Sequence, residues 1–154
     1  MEKFTRAFGR LKKAYRRFKE VVENPFLPEI FSEEFLIEIT TKRFEYTYEA
    51  LWKTVKEFLR LKCVLKRKQK EVDLKHILRG LECNSPKSCF KEAFKEGLIS
   101  EEYEDTFFYM ILLRNRLAHV YDEEMAREIY LKLKEEKFLK AIESVIKNLE
   151  NEEV

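Results

Sequence analysis

The stretch FTRAFGRLKKAYRRFKEVV, residues 4–22, decides the fold class of this 154-residue chain. Its apolar residues recur at alternating steps of four and three, so they share one face of a helix. Residues 24–28, NPFLP, then end this helix, because proline lacks a backbone donor and restricts the residue before it. The apolar stripe of the first helix comprises Phe4, Phe8, Leu11, Tyr15, Phe18 and Val22.

A second, longer helix is predicted to follow. Ser32 is a suitable N-cap, and the two glutamates after it lie at the positive end of the helix dipole. The Lys- and Arg-rich residues 60–80 either extend this helix or form a short helix of their own. The stripe of the second helix comprises Phe44, Tyr48, Leu51, Val55 and Phe58.

Capping residues mark the remaining helices. Ser85, followed by proline, predicts the start of a third helix, and Gly97 predicts its end. Ser100 is predicted to cap a fourth helix and Asp122 a last one. No segment alternates apolar and polar residues long enough for a strand. The sequence therefore predicts an all-α, antiparallel up-and-down bundle of four to five helices in a single domain, 1–154.

Composition narrows the class of protein. Charged residues make up 39% of the chain, yet 31 Lys and Arg nearly balance 29 Asp and Glu, which leaves a net charge of +2. This balance gives no global attraction to nucleic acid. No apolar run reaches the roughly 18 residues of a membrane span, and the N-terminus lacks the apolar core of a signal peptide. We expect a cytoplasmic protein with no membrane partner.

The three cysteines are an odd number, which is not typical of a secreted disulfide framework. Their spacing, with one histidine nearby, also differs from the usual paired-cysteine zinc motif. We therefore expect reduced, structural thiols and no metal at the residues involved, which are Cys63, His76, Cys83 and Cys89.

The fourth predicted helix has apolar stripes that end in polar residues. Its apolar stripes, set up by residues 103–112, continue into Arg114, Asn115 and His119. Burying an unpaired guanidinium or imidazole is costly. Such a polar patch needs an acid from a neighbouring helix, a ligand or another chain. A structural ion pair of Arg114 and a functional site both remain open at this point, and a two-fold dimer through this helix would place two copies of the patch across one cleft.

The residue types of the patch suit phosphate chemistry. Arginine holds a phosphate through its planar fork, and histidine can move a proton near neutral pH. Asn115 and His119 are four residues apart, which places them on one helix face. Tyr121 follows shortly after. Nothing in this set requires a metal or a cofactor.

Residues 114–121, RNRLAHVY, resemble the Arg-x4-His-x-Tyr signature of HEPN domains. The chain is most similar to the HEPN partners of minimal nucleotidyltransferases, a group described as nucleotidyltransferase substrate-binding proteins. Residues 42–53 resemble the second-helix segment of that group, and residues 84–99 resemble its third-helix segment. The resemblance extends over nearly the whole chain.

The resemblance implies a HEPN-like fold and one of two functions. In the first, the chain is the toxin of a toxin–antitoxin pair, a metal-independent RNA endonuclease acting as a homodimer. Arg114, Asn115 and His119 would be catalytic, and the cognate nucleotidyltransferase, the antitoxin, would transfer AMP to Tyr121. In the second, the chain is a non-catalytic substrate-binding partner of the nucleotidyltransferase, a module that binds nucleotide or protein.

Weaker signals come from basic and aromatic residues. Four cations are candidates for binding RNA phosphates, although basic helix faces are commonly only solvated. Tyr46, Tyr48 and Trp52 could stack bases, but their spacing favours a place in the core. The candidate RNA-binding residues are Arg10, Lys13, Arg17 and Arg116.

Overall fold

The computed structural model describes residues 1–70, 83–120 and 122–152. These residues form seven α-helices and no strand, which confirms the all-α helical bundle. A 3-10 turn, Glu101–Tyr103, precedes the fifth helix. The helices are α1 (Glu2–Glu23), α2 (Leu27–Ile30), α3 (Glu33–Lys70), α4 (Pro86–Lys95), α5 (Glu104–Leu117), α6 (Glu123–Leu133) and α7 (Glu136–Glu152).

Helices α1 and α3 pack against each other in antiparallel directions. The rings of Phe4 and Phe58 lie 5.9 Å apart, and so do the rings of Phe18 and Phe44. Residue numbers that rise along α1 therefore fall along α3. At about 1.5 Å per residue, the 38 residues of α3 span roughly 57 Å, and this helix is the backbone of the bundle.

Helix α7 completes the core beside α1. Tyr15 of α1 donates a hydrogen bond to the carbonyl of Leu139, while Phe4 and Leu149 line one cavity at the end of the bundle. Helix α7 thus also runs antiparallel to α1. Phenylalanine rings fill the space between the helices, and each such burial contributes about 2–3 kcal/mol. The fully buried rings are Phe8, Phe18, Phe44, Phe90, Phe107 and Phe138.

Most of the predicted helix caps are confirmed. The Ser32 hydroxyl accepts from the N–H of residue 35 at 3.2 Å, and the Asp122 carboxylate accepts from the N–H of residue 125 at 2.8 Å. Ser85 forms a capping box with Ser88. Gly97 has φ +80, a conformation that ends a helix and suits glycine. Ser100 differs: its side chain makes no cap hydrogen bond, and the 3-10 turn separates it from α5.

The predicted last helix is divided into two, α6 and α7. The division follows from the apolar pattern, because buried Leu133 and buried Phe138 are five residues apart. A continuous helix would place its next core residue three or four positions on, where Lys137 is exposed. Residues 60–70 extend α3, and the rest of the basic stretch lies outside the described residues.

The expectation of reduced thiols is wrong for Cys83 and Cys89, which form a disulfide. The capping box at Ser85 folds the chain back at the start of α4 and brings the two Cα atoms within 4.2 Å. Cys63 of α3 is half-buried and does not belong to this disulfide. None of the helices in the described ranges is both long and apolar enough to cross a membrane.

Candidate functional site

The end of α5 carries the candidate site. Phe107, Met110 and Leu113 are fully buried and hold this helix in the core. Arg114 follows directly and is half-buried. Its Nε atom is enclosed by the protein and has no hydrogen-bond partner among the described residues. A buried donor without a partner costs about 1–3 kcal/mol, and the packing of residues 1–70, 83–120 and 122–152 does not offset this cost.

Tyr48 of α3 is the polar neighbour of Arg114. Burial raises the pKa of Tyr48 to about 12, and the charge of Glu49 adds to the rise. The positive charge of Arg114 acts on the same pKa in the opposite direction, so the guanidinium lies within electrostatic reach of the phenol. The Tyr48 ring itself packs edge-on against Phe90 at 6.0 Å.

The structural interpretation of Arg114 required a carboxylate partner from a neighbouring helix. Within residues 1–70, 83–120 and 122–152, the Arg114 side chain makes no ion pair and no hydrogen bond. By contrast, exposed Arg127 of α6 pairs with Glu33 at 2.7 Å. The Arg114 guanidinium therefore keeps its bonding capacity for a group that the described chain does not supply.

Asn115 and His119 are exposed, unlike Arg114. Helix α5 ends at Leu117, and the His119 N–H donates to the carbonyl of Arg116 at 3.0 Å. His119 thus lies in the turn that closes the helix, about one turn beyond Asn115. The site combines a half-buried cation with a solvent-facing imidazole. Tyr121 lies outside the described residues.

The second apolar stripe of α5 lies at the edge of the core, against which Ile111 packs. Phe108 and Ile111 are half-buried, and Leu112 is 42% exposed. This stripe leads directly to Asn115 and His119. An apolar surface of this kind, joined to a polar patch, is typical of an interaction site.

The candidate RNA-binding residues fall into two places. Arg10, Lys13 and Arg17 are exposed and line one cavity of about 350 Å³ between α1 and α3. Arg116 lines a different cavity of about 530 Å³ between α5 and α6. The structure therefore groups three of the four cations and separates the one beside the patch.

The prediction that Tyr46 belongs to the core is wrong, since its side chain is 61% exposed. Tyr48 is buried, and half-buried Trp52 packs against the core while donating its Nε1–H to Glu49 at 3.1 Å. The reason is the helical period: two residues turn the chain by about 200°, so Tyr46 and Tyr48 face opposite sides of α3. The position of Tyr46 in the helical period could have predicted its exposure, whereas its residue type could not.

Metal ligands do not gather in the described ranges, where no three His, Cys, Asp or Glu side chains form a group that could hold an ion. The candidate zinc residues Cys83 and Cys89 are joined to each other, and His76 lies outside the described residues. The chemistry available at the end of α5 is that of cations, an amide and an imidazole.

Comparison with known protein families gives one finding. The family model described as "Nucleotidyltransferase substrate binding protein like" matches residues 1–151. Comparisons with curated proteins and with solved structures each found no match.

Proposed function

The chain belongs to the nucleotidyltransferase substrate binding protein-like family, and from that premise we propose that it is a HEPN-like toxin that cleaves RNA. Its antitoxin is the cognate minimal nucleotidyltransferase. The observation that carries the proposal is the Arg114 guanidinium, about one turn from exposed His119, with an enclosed Nε that has no partner within the described ranges. An RNA phosphate would supply the acceptor that the described part of the chain does not provide.

The proposed cleavage needs two imidazoles and no metal. One His119 accepts the proton of the 2′-hydroxyl while the 2′-oxygen forms a bond to phosphorus. The bond from phosphorus to the 5′-oxygen breaks, and His119 of the second copy donates a proton to that oxygen. Arg114 stabilises the charge that builds on the phosphate oxygens, and Asn115 orients the RNA backbone. The products are a 2′,3′-cyclic phosphate end and a 5′-hydroxyl end.

Two imidazoles require a homodimer. The second apolar stripe of α5, with half-buried Phe108 and Ile111 and exposed Leu112, supports a two-fold interface, because it adjoins Asn115 and His119. We expect a dimer at micromolar concentration in sedimentation experiments. Leu112→Asp should yield monomers and abolish cleavage, whereas Leu131→Asp, at an exposed leucine of α6, should do neither. A wild-type monomer would contradict this part of the proposal.

The decisive assay is incubation of the purified chain with RNA in EDTA. We expect cleavage that His119→Ala and Arg114→Ala abolish. Arg127→Ala serves as the matched control, because Arg127 is an exposed arginine already paired with Glu33. Cleavage that persists in His119→Ala, or none in the wild type, would overturn the ribonuclease proposal.

Regulation by the partner would act at Tyr121. The tyrosine oxygen would attack the α-phosphorus of a nucleoside triphosphate held by the nucleotidyltransferase, release pyrophosphate and lose its proton. The added phosphate would be attracted to Arg114 and would occupy the place of the RNA phosphate. Co-expression with the partner should add the mass of AMP to the chain, and Tyr121→Phe should prevent the addition. Inhibition without added mass would show control by binding alone.

The family description favours a second candidate, a substrate-binding partner without activity of its own. In that case the same arginine would bind a phosphate of the nucleotide that the nucleotidyltransferase uses. The two candidates differ in one measurement: the second predicts a stable complex with the nucleotidyltransferase and no cleavage of RNA by the isolated chain.

A further inference from the structure

A second cationic surface lies away from the α5 patch, between α1 and α3. We name it the basic groove. It has a volume of about 350 Å³, and the exposed ring of Tyr46 is among its walls. Five cations line the same groove as that ring, three from α1 and two from α3. They are Arg10, Lys13, Arg17, Arg43 and Lys53.

The charge of the basic groove is largely uncompensated. Arg10, Lys13 and Arg17 make no ion pair with any residue that the structure describes. The carboxylate of the groove, Glu49, is already bound by Lys53 at 3.8 Å and by the indole of Trp52 at 3.1 Å. The three α1 cations therefore face solvent without an ion-pair partner in the part of the chain that the structure describes.

Helix α7 shows that this arrangement is not general for the surface. Its exposed lysines Lys137, Lys140 and Lys147 each lie within 3.5 Å of a glutamate oxygen. In the basic groove, Arg43 already has partners on α1. Its Nη1 donates to the carbonyl of Arg17 at 2.8 Å and lies 3.8 Å from a carboxylate oxygen of Glu20. Arg43 thus fixes α3 against α1 and keeps the groove in shape.

Tyr46 is the second independent feature. Its ring is 61% exposed in the middle of α3, where its neighbours Phe44 and Tyr48 are buried. An exposed aromatic ring flanked by cations is the usual arrangement for binding single strands, because a base stacks on the ring while cations hold the backbone. Packing of the bundle gives Tyr46 no other role.

We propose that the basic groove binds single-stranded RNA, with one base stacked on Tyr46 and successive phosphates held by Arg10, Lys13 and Arg17. The choice of RNA rests on the proposed function. Residues 10 and 17 are seven apart, which is about 10 Å along a helix and corresponds to about three nucleotide steps, each with a rise of roughly 3.4 Å along the axis of a stacked strand. The groove would add affinity for RNA outside the α5 patch.

The test measures binding of a fluorescent 12-nucleotide single-stranded RNA by anisotropy, in a His119→Ala background that prevents cleavage. Lys13→Ala/Arg17→Ala should weaken binding at least fivefold and reduce the salt dependence by roughly 1.4 in log–log slope, about 0.7 for each phosphate that the protein no longer neutralises. The matched control is Lys12→Ala/Arg16→Ala, which removes the same charges from exposed positions one residue earlier and outside the groove. It should change binding less than twofold.

Stacking is tested separately. Tyr46→Ala should weaken binding at least fivefold, and Tyr46→Phe should restore it, since the base stacks on the ring rather than on the hydroxyl. A duplex of the same length should bind more weakly than the single strand. Equal affinity for both would overturn the stacking part of the proposal.

The outcomes separate this proposal from the proposed function. Equal losses in the two double variants would show a general charge effect and overturn the basic groove as a site. Groove-dependent binding by a chain that never cleaves RNA would overturn the ribonuclease proposal and support the groove. If the parent chain cleaves RNA and no groove variant changes RNA binding, the basic groove is overturned as a site and the ribonuclease proposal stands.

Discussion

Two polar side chains, Tyr15 and Arg114, reach into the same bundle with opposite results. Tyr15 is 8% exposed, and its hydroxyl donates to the carbonyl of Leu139 at 3.3 Å and to the carboxylate of Glu143 at 3.0 Å. Burial and the bond to Glu143 raise the pKa of Tyr15, and the same bond lowers the pKa of Glu143. The buried Nε of Arg114 has no partner among the residues that the structure describes.

The difference separates a polar group that the fold satisfies from one that the described residues leave without a partner. Tyr15 links α1 to α7 and is satisfied within the chain. Arg114 carries a desolvation cost that the described chain does not offset, which is typical of a site completed by another molecule. Removing Tyr15 should therefore affect stability, whereas removing Arg114 should affect activity.

The largest expected effect is on RNA cleavage. Arg114→Met keeps most of the side-chain volume but removes the charge, and it should lower the cleavage rate at least about 100-fold, as loss of a transition-state donor does. Tyr15→Phe should stay within about twofold of the wild type. The rates are measured on a labelled RNA in EDTA. Similar losses of cleavage rate in both variants would contradict the assignment of Arg114 to activity and of Tyr15 to stability.

The next effect is on stability. Tyr15→Phe deletes the hydroxyl that bonds Leu139 and Glu143, and we expect it to cost about 1–2 kcal/mol. Urea denaturation followed by circular dichroism measures this cost. Tyr130→Phe is a control, because Tyr130 is also buried and no hydrogen bond of its hydroxyl is found among the described residues. If Tyr15→Phe leaves the free energy of unfolding unchanged, the hydroxyl of Tyr15 does not stabilise the contact between α1 and α7.

Alkaline pH tests the phenol beside Arg114. The folded pKa of Tyr48 is about 12, above the unfolded value of about 10, so its contribution to stability is complete below pH 10 and is lost as the pH rises towards 12. At about pH 11 the loss is roughly 1.4 kcal/mol. Tyr48→Phe should lose less stability than the wild type between pH 9 and 11. If the free energies of unfolding of Tyr48→Phe and the wild type fall in parallel over this pH range, the pKa of Tyr48 is not raised in the folded protein.

The smallest expected effect is the change in the free energy of unfolding caused by Arg114→Met. Replacing a partly buried, unpartnered guanidinium by an apolar chain should leave the free energy of unfolding within about 1 kcal/mol of the wild type, or raise it. Neighbouring Leu113→Ala is the contrast, since truncating a fully buried leucine costs about 2–5 kcal/mol. A loss of several kcal/mol in Arg114→Met would instead reveal a structural partner.

The sequence predicted those parts of the fold that depend on local chemistry. Ser32, Ser85 and Asp122 cap their helices as expected, because a short side-chain oxygen can satisfy a free N–H of the first turn in any context. The core stripe of α1 is also buried as predicted, except at half-buried Val22. The division between α6 and α7 was present in the five-residue step from Leu133 to Phe138, but the prediction of one continuous helix overlooked it.

Other features depended on which helices meet. The gathering of Arg10, Lys13 and Arg17 in one cavity with Tyr46 follows from the antiparallel packing of α1 on α3. The Cys83–Cys89 disulfide follows from the fold-back at the start of α4, which cysteine number alone does not reveal.

By itself, the sequence determined the helical class, most helix boundaries and the position of Arg114, Asn115 and His119 at the end of α5, because periodicity and capping act over a few residues. Only the tertiary structure decided which polar groups are satisfied. Tyr15 finds its acceptors 124 and 128 residues away in α7, whereas the enclosed Nε of Arg114 finds none in the described part of the chain. A hydrogen bond requires atoms within about 3 Å, and only packing of distant helices sets such distances.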